Sequence, residues 1–213
     1  YDYLEKGYQD TLVNLEKANI GYFGYEHKYL TTINDVKIGA LGYEGWRDTA
    51  EIRKQVAEDI QELRNEGAQI VLVHYHWGQE RHYVPNAGQI SLGRFTIDSG
   101  ADLVLGHHPH VVQGIEEYKG KFIVYSLGNF MFGGNRNPDD KDTFVFRQTF
   151  HLKNGAVTDE KEIEIIPFSI SSVANRNNYQ PKKLVGEDYN RVREKIISLS
   201  NQINGTDWLV YEK

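Results

Sequence analysis

Three apolar runs decide the fold of this chain: IVLVHYHWGQE at residues 70–80, ADLVLGHHPH at residues 101–110 and FIVYSLGNF at residues 122–130. Unbroken runs of β-branched residues and leucine are typical of strands buried on both faces, as in a parallel sheet. Residues 89–99 leave room for a short helix between the first two runs. The spacing therefore predicts a strand–helix–strand unit with a right-handed crossover.

Histidines follow where the first two strands are expected to end. His76 lies at the end of the first run, and residues 107–110 are His-His-Pro-His. Ligands of open α/β sheets bind beyond the carboxyl ends of the strands. We therefore expect His76, His108 and His110 to meet in one cleft. Their imidazoles should lie within about 8 Å of one another, close enough to share a two-ion site.

The composition restricts the class of protein and the chemistry of any metal site. The 213 residues are 39% hydrophobic and 25% charged, which predicts one globular domain over residues 1–213. A net charge of −6 without a run of lysine or arginine argues against nucleic acid as a partner. The chain has no cysteine, so a metal ion would need histidine, carboxylate or amide ligands.

The rest of the chain is predicted to form helices and antiparallel strands. Apolar residues at helical spacing predict helices at residues 3–19, 49–65 and 187–201. The turn formers Asn34-Asp35 and Asn154-Gly155 predict two β-hairpins. Further strands are predicted at residues 111–118 and 122–127, and loops at residues 42–46 and 133–141.

The histidines are the strongest candidates for chemistry. Three imidazoles within residues 107–110 are difficult to explain by packing, and imidazole is a common ligand of zinc, manganese and iron. His74 shares a strand face with His76 but lies deeper. It is either a core histidine satisfied by the backbone or part of the same site.

Other polar and aromatic residues flank these histidines. Glu80 could bind metal, orient a ligating imidazole, act as an acid or base, or be a solvated loop residue. Ser126 and Asn129, at the end of the third run, are candidates for substrate contact or for orienting the histidines. Trp77 follows His76 directly, and we expect its indole to form a wall of the cleft.

Carboxylates are scarce near these strand ends. A two-metal hydrolytic centre holds its ions about 4 Å apart and normally needs several carboxylates to offset their repulsion. Glu80 is nearby, whereas Asp98 and Asp102 flank the turn at the opposite edge of the sheet. We therefore expect this chain to bind divalent metal weakly or not at all, and to hydrolyse no phosphoester at a useful rate.

The stretches HWGQE at residues 76–80 and DSGADLVLGHHPHVVQGIEEYKGKFIVYSLGNFMF at residues 98–132 resemble the bacterial poly-γ-glutamate capsule synthesis family, of the CapA or PgsA type. The resemblance runs from the first helix to about residue 132. It implies a calcineurin-like metallophosphoesterase fold, an α-β-β-α sandwich of the α/β class. It also implies a role in capsule polymer synthesis or export, with possible metal-dependent hydrolase chemistry.

The resemblance also suggests roles for individual residues. It implies that His76, His108 and His110 support divalent metal ions (manganese, zinc or iron), two of them in the full-length protein. His107 occupies the family's extra histidine position, and Glu80 matches a motif residue. We assign Glu80 and His107 to catalysis, and Trp77, Ser126 and Asn129 to substrate binding.

The beginning of the chain departs from the family pattern. Residues 1–12 resemble the segment that follows the family's Asn-Asn-His motif, so the chain is predicted to be the C-terminal portion of a longer protein. The missing segment would contain the remaining metal motifs and a membrane anchor. This predicts an extracytoplasmic, membrane-associated protein that works with capsule-synthesis machinery or an anionic polymer, and a shortened chain that could self-associate.

Two alternatives to this hydrolase hypothesis remain at the level of sequence. One is a non-catalytic binding or scaffold module of the capsule machinery that keeps the fold. The other is a mononuclear zinc hydrolase with three histidines and one water. Metal content and turnover of a generic phosphodiester by the full-length protein would separate the first alternative from the hydrolase.

Overall fold

The computed structural model describes residues 3–205, and its elements alternate between helices and strands before ending in long antiparallel strands and a helix. In chain order the elements are α1 (Leu4–Lys17), β1 (Tyr29–Ile33), β2 (Val36–Gly45), α2 (Ala50–Asn65), β3 (Ile70–Trp77), α3 (Ala87–Asp98), β4 (Leu103–His107), β5 (Ile115–Tyr118), β6 (Lys121–Val124), β7 (Asp142–Lys153), β8 (Ala156–Ser169), β9 (Lys182–Lys183) and α4 (Gly186–Asn204).

The main sheet has six strands in the order β1-β2-β3-β4-β6-β5. Strands β2, β3, β4 and β6 are parallel, and β1 and β5 pair antiparallel at the two edges. The unit β3–α3–β4 is the predicted strand–helix–strand motif. Apolar residues on both faces of β3 and β4 explain why these strands lie in the middle of the sheet. The predicted α/β class is confirmed.

Two hydrophobic cores lie on opposite faces of the main sheet. One contains the apolar stripes of α2 and α3, with Val56 and Leu92 packed against Val71 and Val104. The other lies towards the second sheet, β7-β8-β9, and joins β4 and β6 to Phe144, Ile163 and their neighbours. Helix α4 packs against β5 and β8 and contributes to this second core. The layers therefore follow the order helices, main sheet, second sheet, with α4 beside both sheets.

Side-chain caps mark the starts of two helices. Thr49 caps α2 by accepting a hydrogen bond from the Ile52 amide. Asn86 and Gln89 form a reciprocal capping box at the start of α3. Both predicted hairpins are present, as β1–β2 and β7–β8. Within residues 3–205, no helix has the length and apolar character needed to cross a membrane.

Three predicted boundaries beside the cleft are wrong. The strand predicted at residues 122–127 ends at Val124, as β6. Residues 42–45 belong to β2 rather than to a loop, because parallel pairing with β3 continues as far as Gly45 opposite Trp77. The predicted strand at residues 111–118 is shortened to Ile115–Tyr118. Before it, Val112 makes only an isolated bridge to Leu127.

Candidate functional site

The predicted histidines meet at the carboxyl ends of β3 and β4. His76 lies opposite His107 in the parallel register, and His108 and His110 follow in the next turn. The ring centroids of His76 and His108 are 4.6 Å apart, and those of His108 and His110 are 5.8 Å apart. The expected convergence in one cleft is confirmed for these pairs.

The turn that carries His108 and His110 has an unusual backbone. His108 has a φ of 95° and His110 a φ of 60°, both in the left-handed region that side chains with a Cβ rarely adopt. Pro109 between them is buried, and its carbonyl accepts a hydrogen bond from the Arg81 amide at 2.8 Å. Backbone strain of this kind is often retained at functional sites because it aims side chains.

Glu80 completes a compact set of possible metal ligands. One donor atom from each of Glu80, His108 and His110 lies within 4.8 Å of the others. Asn129 fixes the ring of His110: its Nδ2 donates to the His110 carbonyl at 3.2 Å, so its Oδ1 faces His110 Nδ1 at 2.7 Å as an acceptor. Nδ1 must then carry the hydrogen, which leaves the Nε2 lone pair of His110 available for a cation.

Burial lowers the pKa of two of these imidazoles, those of His76 and His108. Burial lowers the pKa of His76, an effect that His110 reinforces and the carboxylate of Glu44 opposes. Burial also lowers the pKa of His108, as do His76 and His110, while Glu80 opposes the shift. Neutral imidazole is the form that binds metal, so both rings are suited to that role near neutral pH.

His74 and His107 form a separate pair deeper in the sheet. His74 Nδ1 lies 3.1 Å from His107 Nε2, and the two rings are stacked. Burial, with His107 adding to it, lowers the pKa of His74 to about 4. The exposed Phe23 packs on His74 with a centroid distance of 4.9 Å. His107, assigned to catalysis from the sequence, therefore has its Nε2 engaged with another histidine.

The side-chain amides of two buried glutamines hold the loop that carries Glu80. Gln113 is fully buried, and its Nε2 donates to the His82 carbonyl at 2.7 Å. Its Oε1 accepts from Gln89 Nε2, and Gln89 belongs to the capping box of α3. These hydrogen bonds connect the loop to α3 and to the residues after β4, so Glu80 is supported by the core of the domain.

Trp77 and Ser126 are placed differently from the prediction. Trp77 is fully buried in the core under α3, and its Nε1 donates to the Tyr125 carbonyl at 2.9 Å. Gly106 permits this contact, because a Cβ there would lie 2.4 Å from the Trp77 Nε1. Since β3 continues through Trp77, successive side chains alternate and Trp77 faces away from His76. Trp77 is therefore not a wall of the cleft.

Ser126 is buried, and its hydroxyl stabilises the backbone at Val111 and Gly128. Its side chain is 1% exposed, donates to the Val111 carbonyl at 2.7 Å and accepts from the Gly128 amide. A hydroxyl so buried has no free surface to offer a substrate, so the prediction of substrate contact is wrong for Ser126. Asn129 orients His110, as one of the sequence alternatives proposed.

Trp46 and Glu44 are two residues of the cleft that the sequence analysis missed. The Trp46 indole stands nearly perpendicular to the rings of His76 and His108, at centroid distances of 5.1 and 4.6 Å. Glu44 lies opposite His76 in the parallel register and accepts a hydrogen bond from Trp46 Nε1 at 3.2 Å. If the predicted strand had been continued through residue 45, the alternation of its side chains would have indicated Glu44 as a second carboxylate at the cleft.

Two cavities adjoin the cleft. The nearer, of about 310 Å³, is lined by Glu80, Arg81, His110, Asn129 and neighbouring residues. The larger, of about 630 Å³, shares Tyr83, Asp139 and Asp140 with the first and extends to α4. The larger cavity has no surplus of cations, because its four basic residues are matched by four aspartates: Lys141, Lys182, Arg191 and Lys195 against Asp139, Asp140, Asp142 and Asp188.

Comparison with known proteins identifies the family. The family model described as "Bacterial capsule synthesis protein PGA_cap" matches residues 1–134. "Capsule biosynthesis protein CapA" of Bacillus anthracis is 30% identical over 195 residues, covering 79% of this chain and 45% of that protein. "PGA biosynthesis protein CapA" of Bacillus subtilis (strain 168) is 36% identical over 190 residues, covering 79% and 48%.

A third relative comes from another organism. The "Probable polyglutamine synthesis accessory protein" of Mycobacterium tuberculosis is 30% identical over 138 residues, covering 59% of this chain and 34% of that protein. The chain thus spans less than half the length of these curated relatives. The matched region contains every residue of the cleft described above. The chain belongs to the bacterial capsule synthesis family PGA_cap, which is of the metallophosphoesterase type.

Proposed function

We propose that this chain contributes the histidine-rich part of a divalent-cation centre that serves capsule polymer synthesis, with phosphoester hydrolysis as its chemistry. The observation that carries the proposal is the grouping of Glu80, His108 and His110 with donor atoms within 4.8 Å, beside His76. Imidazole and carboxylate together suit zinc, manganese or iron. The names of the Bacillus relatives support the link to capsule synthesis.

The described residues would hold one ion more readily than two. Glu80, His108 and His110 offer one carboxylate and two imidazoles, and His76 lies beside His108 with Glu44 opposite it on β2. A two-ion centre in the full-length protein would need further carboxylates. We therefore propose one ion of modest affinity in this chain.

Each side chain has a separate part in the proposed chemistry. A bound cation supplies Lewis-acid stabilisation of the charge on a phosphoryl oxygen. Asn129 holds His110 in the tautomer that leaves Nε2 free. Arg81 lines the nearer cavity and would attract an anionic group of the substrate. Glu80 is either a ligand of the cation or the residue that accepts a proton.

The location and partners of the full-length protein follow from the same proposal. We place it outside the cytoplasm, associated with the membrane, where its partner would be the machinery that makes or exports the capsule or an anionic polymer. The accessory role in the name of the mycobacterial relative supports work alongside other proteins.

Calorimetric titration with Zn²⁺ tests the metal centre. We expect about one ion per chain, and a loss of affinity of at least tenfold in Glu80→Gln and in His108→Gln. His82→Gln is the matched control, because His82 is an exposed histidine in the same loop and lies outside the ligand set. Equal affinity in all three variants, or no binding by the parent chain, would overturn the proposed centre.

Turnover separates a hydrolase from a binding module. The full-length protein, loaded with Mn²⁺ or Zn²⁺, should hydrolyse bis(4-nitrophenyl) phosphate and lose that activity in His108→Gln. Metal binding without turnover would instead favour the non-catalytic module.

A further inference from the structure

Three large aromatic side chains remain exposed around the histidines and Glu44. Phe23 is 38% exposed, Trp46 50% and Tyr25 67%. Burying a large aromatic ring is favourable, so several exposed rings on one surface usually mark a place where something binds. Trp46 is the closest of the three to the candidate ligands, because its indole touches both His76 and His108.

The exposed indole is held in a fixed orientation. Its Nε1 donates to one carboxylate oxygen of Glu44, and the hydroxyl of Tyr25 donates to the other at 3.1 Å. Glu44 is itself fixed by β2, opposite His76 in the parallel register. Tyr25 also packs edge-on against Tyr8 of α1, which limits its movement. A surface ring that is preorganised in this way loses little entropy when a ligand packs on it.

The two sides of the cleft differ in whether a positive group could hold an anion. On one side, the carboxylate of Glu44 lies between Trp46 and Tyr25 and disfavours a second anion there. On the other side, the cavity is lined by one arginine, Arg81, and by Glu80, Asp139 and Asp140, so an anionic group there depends on the proposed cation together with Arg81. A ligand with an anionic group and an uncharged ring would satisfy both sides in a single orientation.

We propose that Trp46, held by Glu44 and supported by Tyr25, is a substrate-binding residue that packs against a ring in the uncharged part of a phosphoester. The inference rests on the proposed metal centre, which would take the phosphate group. Trp46 contacts the ligand, and Glu44 is a positioning residue that acts through the indole. The ring could be a sugar or an aromatic group, since both present a flat face to indole.

Binding of three probes to the Zn²⁺-loaded chain tests this inference. Calorimetry gives the affinity of each variant for inorganic phosphate, glucose 1-phosphate and 4-nitrophenyl phosphate. The quantity compared is the ratio of ester affinity to phosphate affinity within each variant. We expect at least one ester to bind about three- to tenfold more tightly than phosphate in the parent chain. The ester with the larger ratio identifies a sugar or an aromatic ring as the preferred group.

Variants then assign the preference to the indole. Trp46→Ala should reduce the ratio to about one. Glu44→Ala should reduce it in part, and Glu44→Gln should restore it, because a glutamine oxygen can still accept the Trp46 hydrogen bond. Ile33→Ala is the control, since Ile33 is similarly exposed and is the last residue of β1, paired with Val36 at the opposite end of β2 from Trp46. The Trp46 indole signal in a ¹H–¹⁵N spectrum, assigned by its absence in Trp46→Phe, should shift with the preferred ester and less with phosphate.

The outcomes distinguish this inference from the proposed function. Phosphate binding with a ratio near one in the parent chain, or a ratio unchanged in Trp46→Ala, would overturn the role of Trp46 and leave the metal centre intact. Absence of Zn²⁺ and phosphate binding would overturn the metal centre and the inference that rests on it.

Discussion

The two groups of histidines on β3 and β4 are neighbours in sequence but differ in chemistry. His74 and His107 lie deep, stack on each other and share a hydrogen bond. His76, His108 and His110 lie at the strand ends, and their rings face a cleft that also contains Glu80 and Trp46. His74 and His76 are two residues apart on β3, so they share a face of the sheet, but His76 lies about 7 Å closer to the end of the strand.

That difference in depth decides what each imidazole can do. In the buried pair, one ring nitrogen of each histidine is already used by the other ring, and burial holds the pKa of both below the usual range. In the open cluster, Asn129 fixes one nitrogen of His110 and leaves the other towards the cleft. The buried pair is therefore suited to support, and the open cluster to binding.

The largest expected effect is on metal affinity. His110→Gln should weaken Zn²⁺ binding by at least about 100-fold, because it removes a ligand whose orientation Asn129 fixes. His74→Gln should change the affinity by less than about threefold, since His74 lies outside the Glu80, His108 and His110 set. Calorimetry on both variants measures the difference. Similar losses in the two variants would contradict the separation into two groups.

The buried pair should make stability depend on pH. The pKa of His74 falls from 6.5 to about 4 on folding, so the unfolded chain binds this proton more readily. The stabilisation is present above pH 6.5 and is lost as the pH falls towards 4, by about 2 kcal/mol between pH 7 and pH 5. Urea unfolding at both pH values, compared between the parent chain and His74→Phe, measures it. An equal pH dependence in the two proteins would refute the assignment to His74.

The hydrogen bond from His110 to Asn129 should contribute a smaller part of the metal affinity. Asn129→Ala frees the His110 ring to rotate, and we expect about a tenfold loss of Zn²⁺ affinity. Asn129→Asp keeps an acceptor oxygen for Nδ1 and should lose less. If alanine and aspartate weakened binding equally, the tautomer argument for His110 would fail.

The smallest expected effect concerns the strained turn. Because His108 has a φ of 95°, His108→Gly should be more stable than His108→Ala by about 1 kcal/mol, although both lose the ligand. At His82, which does not have a positive φ, the order should reverse. Thermal or urea unfolding of the four variants measures both differences. A less stable glycine variant at position 108 would show that the turn is not strained.

Much of the fold follows from local pattern. The apolar runs at residues 70–77 and 103–107 became β3 and β4, and α3 fills the gap between them. Turn-forming pairs and cap residues placed both hairpins and the start of α2. Errors arose where pairing, rather than local preference, sets the boundary, as at residues 42–45, where the neighbouring strand β3 extends β2.

The sequence by itself determined which residue types stand at the strand ends, and hence that imidazoles would gather at one edge of a parallel sheet. Only the tertiary structure decided which side chains face the cleft. Trp77 and Trp46 are both tryptophans at strand ends, yet Trp77 is fully buried and Trp46 half exposed. The reason is geometric: alternation along an extended strand turns Trp77 into the core, while the register of β2 against β3 brings Glu44 and Trp46 beside His76.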